Sequence, residues 1–478
     1  MLFHTLEFAF FFAIVFTLYR LTAHKVQNRL LLVASYIFYG AWDWRYLSLI
    51  LISTTVDYLC ARYIEDSESP ATRTRLVGVS VLVNLTLLGV FKYYDFFAHS
   101  FKEFAGNFGV EVSPFILNVI LPVGISFYTF QTMSYTLDVY RKKLPAARHF
   151  LDFALYVSFF PQLIAGPIER GTRLLPQVLN PRTISWGGLL RGSYLFLWGV
   201  FLKVVIGDNM AKLVDPVFAA APPYEGLDVL IAVYAFSFQI YADFAGYSFM
   251  AIGIAATMGF TLMENFRRPY FSKNISEFWR RWHISLSSWF RDYFFSPCYI
   301  SLQKSRWLVR TPILLKHGIA FFITLLVTEF MLGLWHGAAW HYGFFGLYHG
   351  AAILAYYYTK KYWDRMPVII QIFLMFHVAC GGWLVFRAES LSMASEMASA
   401  LVTNFNFVYP SEFMIILSKV ALPLVILLII QFFQDSKNDT LVVISWPSYL
   451  KYPFYCGLVL LIVGIGDLSD RPFLYFQF

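Results

Sequence analysis

The sequence predicts an all-α, polytopic integral membrane protein of about 11–13 spans plus re-entrant segments, and three observations lead there. Of 478 residues, 58% are hydrophobic and only 14% charged, whereas a soluble domain carries about 25% charge. Apolar runs recur from near the first residue to near the last with no long polar linker, so residues 1–478 read as one domain. The cations behind the formal charge of +8 sit in short loops between apolar runs rather than on one basic face, which argues against nucleic acid and for membrane topology.

At about 17–25 residues per span, candidate helices fall near residues 6–22, 30–40, 45–61, 76–98, 115–139, 186–206, 228–258, 317–335, 340–358, 367–386, 413–433 and 451–467. The first lacks a basic region and a small-residue cleavage site, so it reads as a retained span rather than a signal peptide. Two stretches, YVSFFPQLIAGPIERG and EFWRRWHISLSSWFRDYFF, mix Pro, Gly or clustered charge with aromatics. They read as re-entrant or interfacial, a state tolerated only where protein or water satisfies the backbone.

Lys and Arg gather in alternate loops: Arg20, Lys25 and Arg29, then Arg62, Arg73 and Arg75, then Arg141 to Arg148, Arg267 to Arg281, Lys304 to Arg310, and Lys360 to Arg365. The positive-inside bias makes these cytoplasmic. Alternation then carries Asp467, Asp470 and the aromatic ending RPFLYFQF to the non-cytoplasmic side or into a cavity opening to it. Cys60, Cys298, Cys380 and Cys456 lie far apart without a C-x-x-C pair, so neither a disulfide framework nor a cysteine zinc site is expected.

Ionisable groups in apolar runs are costly and mark site candidates. His336, in GLWHGAAWHYGFFGLYHG, stands between Gly333 and Gly337, which permit close helix approach or a break. His341 and His349 follow at offsets that do not share one helical face with it, so no metal site is expected. Asp243 in FQIYADFAGYSF and Glu329 in TEFMLG serve either helix-to-helix hydrogen bonding or a polar path. His283 lies among Arg280, Arg281 and Trp282; the basic aromatic stretch serves either headgroup anchoring or the mouth of a site for an anionic cytoplasmic donor.

The blocks LPVGISFYTFQTMSYTLDVYR, LYVSFFPQLIAGPIERGTRLLPQ, QIYADFAGYSFMAIGIA, ENFRRPYFSKNISEFWRRWHISLSSWFRDY, GLWHGAAWHYGFFGLYHG and WLVFRAES resemble, in that order, the membrane-bound O-acyltransferase (MBOAT) family. Within it the resemblance is closest to the branch of alginate and peptidoglycan O-acetylases. It covers roughly residues 30–395, the family core. It implies the MBOAT fold around a central tunnel, a catalytic histidine at His336, the second family histidine at His283, and an acyl donor entering from the cytoplasm. Trp335, Trp282, Arg280, Arg281, Asp243 and Glu329 are the tunnel or substrate-lining candidates. The branch implies acetyl-CoA as donor with no resident cofactor, an exported polysaccharide as final acceptor, and an extracytoplasmic SGNH-type partner that makes the sugar ester.

After RDY the acetylase branch continues with a Pro-Leu-Gly-Gly turn, whereas this chain reads FFSPCYISLQKSRW, closer to teichoic acid D-alanyl transferases. D-alanyl transfer from a carrier protein is therefore the enzymatic alternative, and a non-catalytic transporter or scaffold the other. The ending FLYFQF resembles the motif of the small partner peptide of those D-alanyl transferases. Its presence in this chain implies a tail, residues 468–478, in which Tyr475 carries the acyl group while Phe473, Phe476 and Phe478 seat it in an apolar tunnel. An interfacial aromatic anchor is the alternative role for the same residues.

Overall fold

A computed structural model describes residues 1–305, 308, 312–405, 411–469 and 471–474. These residues form helices and connecting segments, with no strand among them. Among the described residues, eight helical stretches are long and apolar enough to cross a membrane: His24–Asp66, Pro70–Gly106, Trp186–Phe218, Gly226–Thr257, Leu315–His336, Val368–Arg387, Met414–Lys437 and Ser448–Ile465.

Local chemistry accounts for the difference from the sequence segments. The first helix, Leu6–Leu21, has only 16 residues, short of the roughly 20 a bilayer needs. Segments 30–40 and 45–61 join through the short 3-10 turn Trp44–Tyr46, whose first turn Asp43 caps. Trp340–Trp363 is long, but His341, His349 and Lys360 with Lys361 dilute its apolar content. Segment 115–139 is corrected: helix begins only at Ile125, and residues 110–122 are non-helical. Pro114 and Pro122 lack an N–H, and Gly124, at φ 76°, stands where a Cβ would strike the Leu163 carbonyl. Asp95 accepts the N–H groups of Leu117 and Asn118 at 2.8 and 3.0 Å, which gives this stretch part of its hydrogen bonding.

The chain divides into two compact units, Met1–Ser193 with Ala251–Met263, and Tyr194–Met250 with Glu264–Phe478. In the first, Leu47–Asp66, Pro70–Leu88 and Ile125–Tyr140 meet around a buried carboxylate. Asp57 accepts hydrogen bonds from Ser80, from Asn84 at 2.7 Å and from Thr136 at 2.9 Å, so its carboxyl oxygens are satisfied inside apolar helices. The YVSFFPQLIAGPIERG stretch is broken, as expected, into Phe150–Ser158 and Phe160–Leu163. Side chains supply the missing backbone partners: Ser35 Oγ accepts the Phe160 N–H at 3.0 Å, and Gln131 and Gln162 donate to the Tyr156 carbonyl at 2.6 and 2.9 Å.

In the second unit, Ile313–His336 and Trp340–Trp363 form a tight antiparallel pair. Glycine makes this possible, because a Cβ at Gly346 would collide with the Glu329 carbonyl and one at Gly333 with that of Tyr342. The arginine-rich stretch is likewise broken, into Ile275–Arg281, Ile284–Trp289 and the π-helical Phe290–Phe295. Asn274 caps the first piece by accepting the Glu277 N–H, and Glu277 returns the favour to the Lys273 N–H, a reciprocal N-terminal cap.

Candidate active site

His336 is the last residue of its helix, and the extended Gly337 ends it. The side chain is 3% exposed and lies among rings: its centroid is 5.2 Å from Trp335, 5.4 Å from Phe386, 6.0 Å from Phe345 and 6.5 Å from His283. The two histidines singled out from sequence thus meet in one apolar chamber. Water is largely excluded there, which strengthens any proton transfer or dipole acting within it.

His283 is fully buried and sits at φ 41°, a left-handed conformation between two short helices. Such strain in a non-glycine residue is concentrated at sites that use it. Asn265 Oδ1 lies 3.2 Å from His283 Nδ1 and also accepts the Ser285 backbone N–H at 3.2 Å. Because a backbone N–H can only donate, that atom of Asn265 is the oxygen. His283 Nδ1 therefore carries the proton in the neutral ring and leaves Nε2 as an acceptor.

From His283 the aromatic contacts lead to the tail. Phe244 stands edge-on to His283 at 4.6 Å and to Phe473 at 5.7 Å, and Phe473 also meets Tyr247 at 4.9 Å. The residue before Phe244 is Asp243, whose Oδ2 accepts the backbone N–H of Leu474 at 2.8 Å while its Oδ1 pairs with Lys203 at 2.7 Å. Lys203 pairs equally with Asp208 at 2.7 Å, and all three side chains are buried. The local fold makes this pairing possible: Lys203 lies in the π-helical segment Phe201–Gly207, where wider turns bring residues five apart toward one another.

The tail is also tied down on its approach. Arg471 reaches Asp215 at 3.4 Å, which Arg387 shares at 3.3 Å, and Lys212 holds Asp467 at 3.0 Å. Partial burial pushes the Asp467 carboxyl up, but hydrogen bonds from Ser469 and Lys212 outweigh it and hold it at about 2. Asp467 therefore stays ionised at any working pH. A cavity of about 390 Å³, lined by Lys203, Asp208, Asp243, Arg387, Arg471 and Leu474, opens beside this junction.

A second cavity, of about 450 Å³, is lined among others by Arg267, Arg280, Arg291, Ser287, Thr328 and Glu329. Arg267 is held by Glu264 at 2.6 Å, whereas Arg280 has no carboxylate within salt-bridge distance among the described residues and donates to the Ser276 hydroxyl at 3.2 Å. Arg281 is engaged elsewhere, in ion pairs with Glu277 at 2.6 Å and Asp435 at 2.7 Å. Trp282 stacks on Phe278 and packs 4.7 Å from Trp383, a wall of the aromatic core. His341 and His349 are buried on the neighbouring helix, and among the described residues no group of three metal-ligating side chains forms.

The structure thus brings His336, His283 and Trp335 together, links Phe473 to His283 through Phe244, places Asp243 at the tail, and puts Glu329 and Arg280 in one cavity. Tyr475, Phe476 and Phe478 lie outside the described residues. Sequence reasoning missed Lys203, Asp208 and Asn265. The signal for the first was present, since a lysine in the apolar run FLKVVIGD needs a counter-charge close by.

A family model described as MBOAT, membrane-bound O-acyltransferase family, matches residues 46–395, a span that contains both histidines. The chain belongs to this family. It is an O-acyltransferase, and relatives of two kinds match it. A probable alginate O-acetylase AlgI of Pseudomonas putida is 41% identical over 408 residues, 84% of this chain and 80% of that protein. The peptidoglycan O-acetyltransferase of Helicobacter pylori is 34% identical over 403 residues, 78% of this chain and 73% of its own. More distant is the teichoic acid D-alanyltransferase of Bacillus subtilis, 31% identical over 286 residues, 57% of this chain and 70% of its own.

Proposed function

We propose that this MBOAT enzyme takes an acetyl group from cytoplasmic acetyl-CoA and carries it across a bacterial inner membrane on Tyr475. An extracytoplasmic SGNH-type partner would then place it on an exported polysaccharide of alginate, cellulose or peptidoglycan type. The observation that carries this reading is the hydrogen bond from the Leu474 N–H to Asp243. It holds the chain one residue before Tyr475, on the residue adjoining Phe244, whose ring touches His283. Acetyl is favoured over D-alanyl because the alginate and peptidoglycan relatives match 78–84% of this chain and the Bacillus subtilis D-alanyl relative 57%.

In the first step the Tyr475 phenolic oxygen attacks the thioester carbonyl carbon. His336 takes the phenolic proton as general base. The carbon–sulfur bond breaks, the coenzyme leaves as thiolate and recovers that proton from His336, and Tyr475 holds the acetyl ester. In the second step an acceptor hydroxyl attacks the ester carbonyl carbon, the bond to the Tyr475 oxygen breaks, and the hydroxyl proton passes to the departing phenolate, which restores the phenol. A phenol suits the relay because its pKa of about 10 lies near that of a thiol, about 8.5, and far below that of a sugar hydroxyl, so each transfer has an adequate leaving group. His283, with Nδ1–H spent on Asn265, offers Nε2 to fix a proton donor in the chamber.

The test is transfer of labelled acetyl from acetyl-CoA by purified enzyme and its His336→Ala variant. Loss of the general base is expected to lower the rate at least about 10²–10⁴-fold. A transporter or scaffold without chemistry would keep its function in that variant.

A further inference from the structure

The reaction above makes no use of Asp57, which is 0% exposed in the first unit. Its helical stretch, and the one that carries Ser80 and Asn84, are both long and apolar enough to span a membrane. Ser80 and Thr136 donate to its Oδ1 and Asn84 to its Oδ2, so the oxygens are satisfied. All three donors are neutral, however, and among the described residues no Lys, Arg or His acts on Asp57. A carboxylate charge among apolar helices is costly without a counter-charge, even where its hydrogen bonds are made.

Asn84 points to the ionised form. Its Nδ2 also donates to the Ser80 carbonyl at 2.9 Å, which can only accept, so the amide turns an N–H toward Asp57 Oδ2. The same orientation gathers oxygens: Asn84 Oδ1 lies 2.7 Å from Ser53 Oγ and 3.3 Å from Thr132 Oγ1, and those two hydroxyls are 3.1 Å apart. Thr54, one turn before Asp57, has a buried hydroxyl with no hydrogen-bond partner among the described residues. A hydroxyl can turn its proton away and offer a lone pair instead, and a carboxylate with amide and hydroxyl oxygens is the ligand set of a hard cation. One carboxylate balances one positive charge, so a divalent ion would leave an excess in the apolar interior. Na⁺ is close to Ca²⁺ in size, and an octahedral shell at about 2.4 Å has edges of about 3.4 Å, near the spacing of these oxygens; K⁺ needs wider edges.

We infer that this cluster is a sodium site, in which Na⁺ bound at Asp57 supplies the missing counter-charge and ties Leu47–Asp66, Pro70–Leu88 and Ile125–Tyr140 together. The site belongs to the first unit and does not depend on the acyl-relay reading. It makes the folded state of this unit responsive to Na⁺.

The experiment uses the purified full chain in detergent, with choline chloride replaced stepwise by NaCl or KCl at constant ionic strength, and a second series at lower pH. The native enzyme is expected to retain a single equivalent of radioactive Na⁺ in equilibrium dialysis. Its thermal midpoint is expected to rise saturably by several degrees with Na⁺ and much less with K⁺, as mass action requires of an ion that binds only the folded state. Asp57→Asn is expected to lose both responses. Should that variant not fold, Ser53→Ala and Thr132→Val keep the carboxylate but each remove one oxygen, and the Na⁺ concentration at half-effect is expected to rise about 10-fold in either. Equal midpoints in the three salts with no Na⁺ retained, or a Na⁺ response that none of these variants changes, overturns the inference. A midpoint that follows pH and not Na⁺ overturns it as well, and makes a proton the partner of Asp57.

Discussion

Among single residues, Asp243 carries the most consequence after His336. It divides its two oxygens between Lys203 and the backbone of Leu474, so the tail's docking depends on a buried ion cluster. The cluster holds two carboxylates and one lysine, and its members respond differently to substitution. Asp243→Asn keeps an acceptor for Leu474 and leaves Lys203 paired one-to-one with Asp208, but it turns a charge-assisted hydrogen bond into a neutral one. Acetyl transfer is expected to fall about 5- to 30-fold at unchanged thermal midpoint, in keeping with the difference of about 1–2 kcal/mol between such bonds. Lys203→Met strands two buried carboxylates and is expected to cost about 3–5 kcal/mol of stability, visible as a lowered midpoint in detergent. If Asp243→Asn transfers at the native rate, the contact with Leu474 plays no part in positioning the tail.

The residues also mark how far a sequence can be read. His336 stood out because an ionisable group in an apolar run between glycines has few structural excuses. Asp243 stood out for the same reason, but its role did not, since its partner Leu474 is 231 residues away and contributes only a backbone N–H. Lys203 was hidden by a π-helical turn that no periodicity in FLKVVIGD announces. Asn265 was hidden because an asparagine that fixes a histidine tautomer looks like any loop asparagine until the ring is beside it.

At the level of elements, the helix pair Ile313–His336 and Trp340–Trp363 sets the height and direction of His336. Its glycines are the dimension that cannot be changed: Gly346 faces the backbone of Glu329, with no flexible side chain to yield. Gly346→Ala is expected to push the helices apart or lower stability by about 1–3 kcal/mol, and to reduce transfer by shifting His336 against His283. Gly318, where a Cβ meets nothing within 4 Å, is the matched control, and Gly318→Ala is expected to leave both properties near native. Element existence was largely legible from apolar runs. The segment 115–139 was not, because its hydrophobic content is as high as that of its neighbours, while Pro114, Pro122 and the turn at Gly124 keep residues 110–122 out of helix. The broken stretches were legible for the opposite reason: Pro, Gly and clustered arginine interrupted the pattern openly.

For the whole molecule, the contacts that anchor the tail precede the residue proposed to carry the acyl group. Asp467, Arg471, Phe473 and Leu474 are held by Lys212, Asp215, Phe244 and Asp243, all ahead of Tyr475. Removing residues 475–478 should therefore spare these contacts. The truncated protein is expected to reach the membrane and melt within a few degrees of the native chain, yet to transfer no acetyl group to an acceptor. An aromatic tail that served only as an interfacial anchor would give the reverse pattern, with insertion or stability impaired and residual transfer in the protein that does insert.

The most direct measurement is mass spectrometry of the peptide that contains Tyr475, taken from native enzyme quenched during turnover with isotopically labelled acetyl-CoA. His336→Ala and Tyr475→Phe serve as controls. The account requires a labelled acetyl group on Tyr475 that appears before label reaches any acceptor and is absent from both variants. Label arriving on the acceptor at the native rate in Tyr475→Phe, or with Tyr475 never acetylated in the turning-over enzyme, would contradict it and make transfer direct.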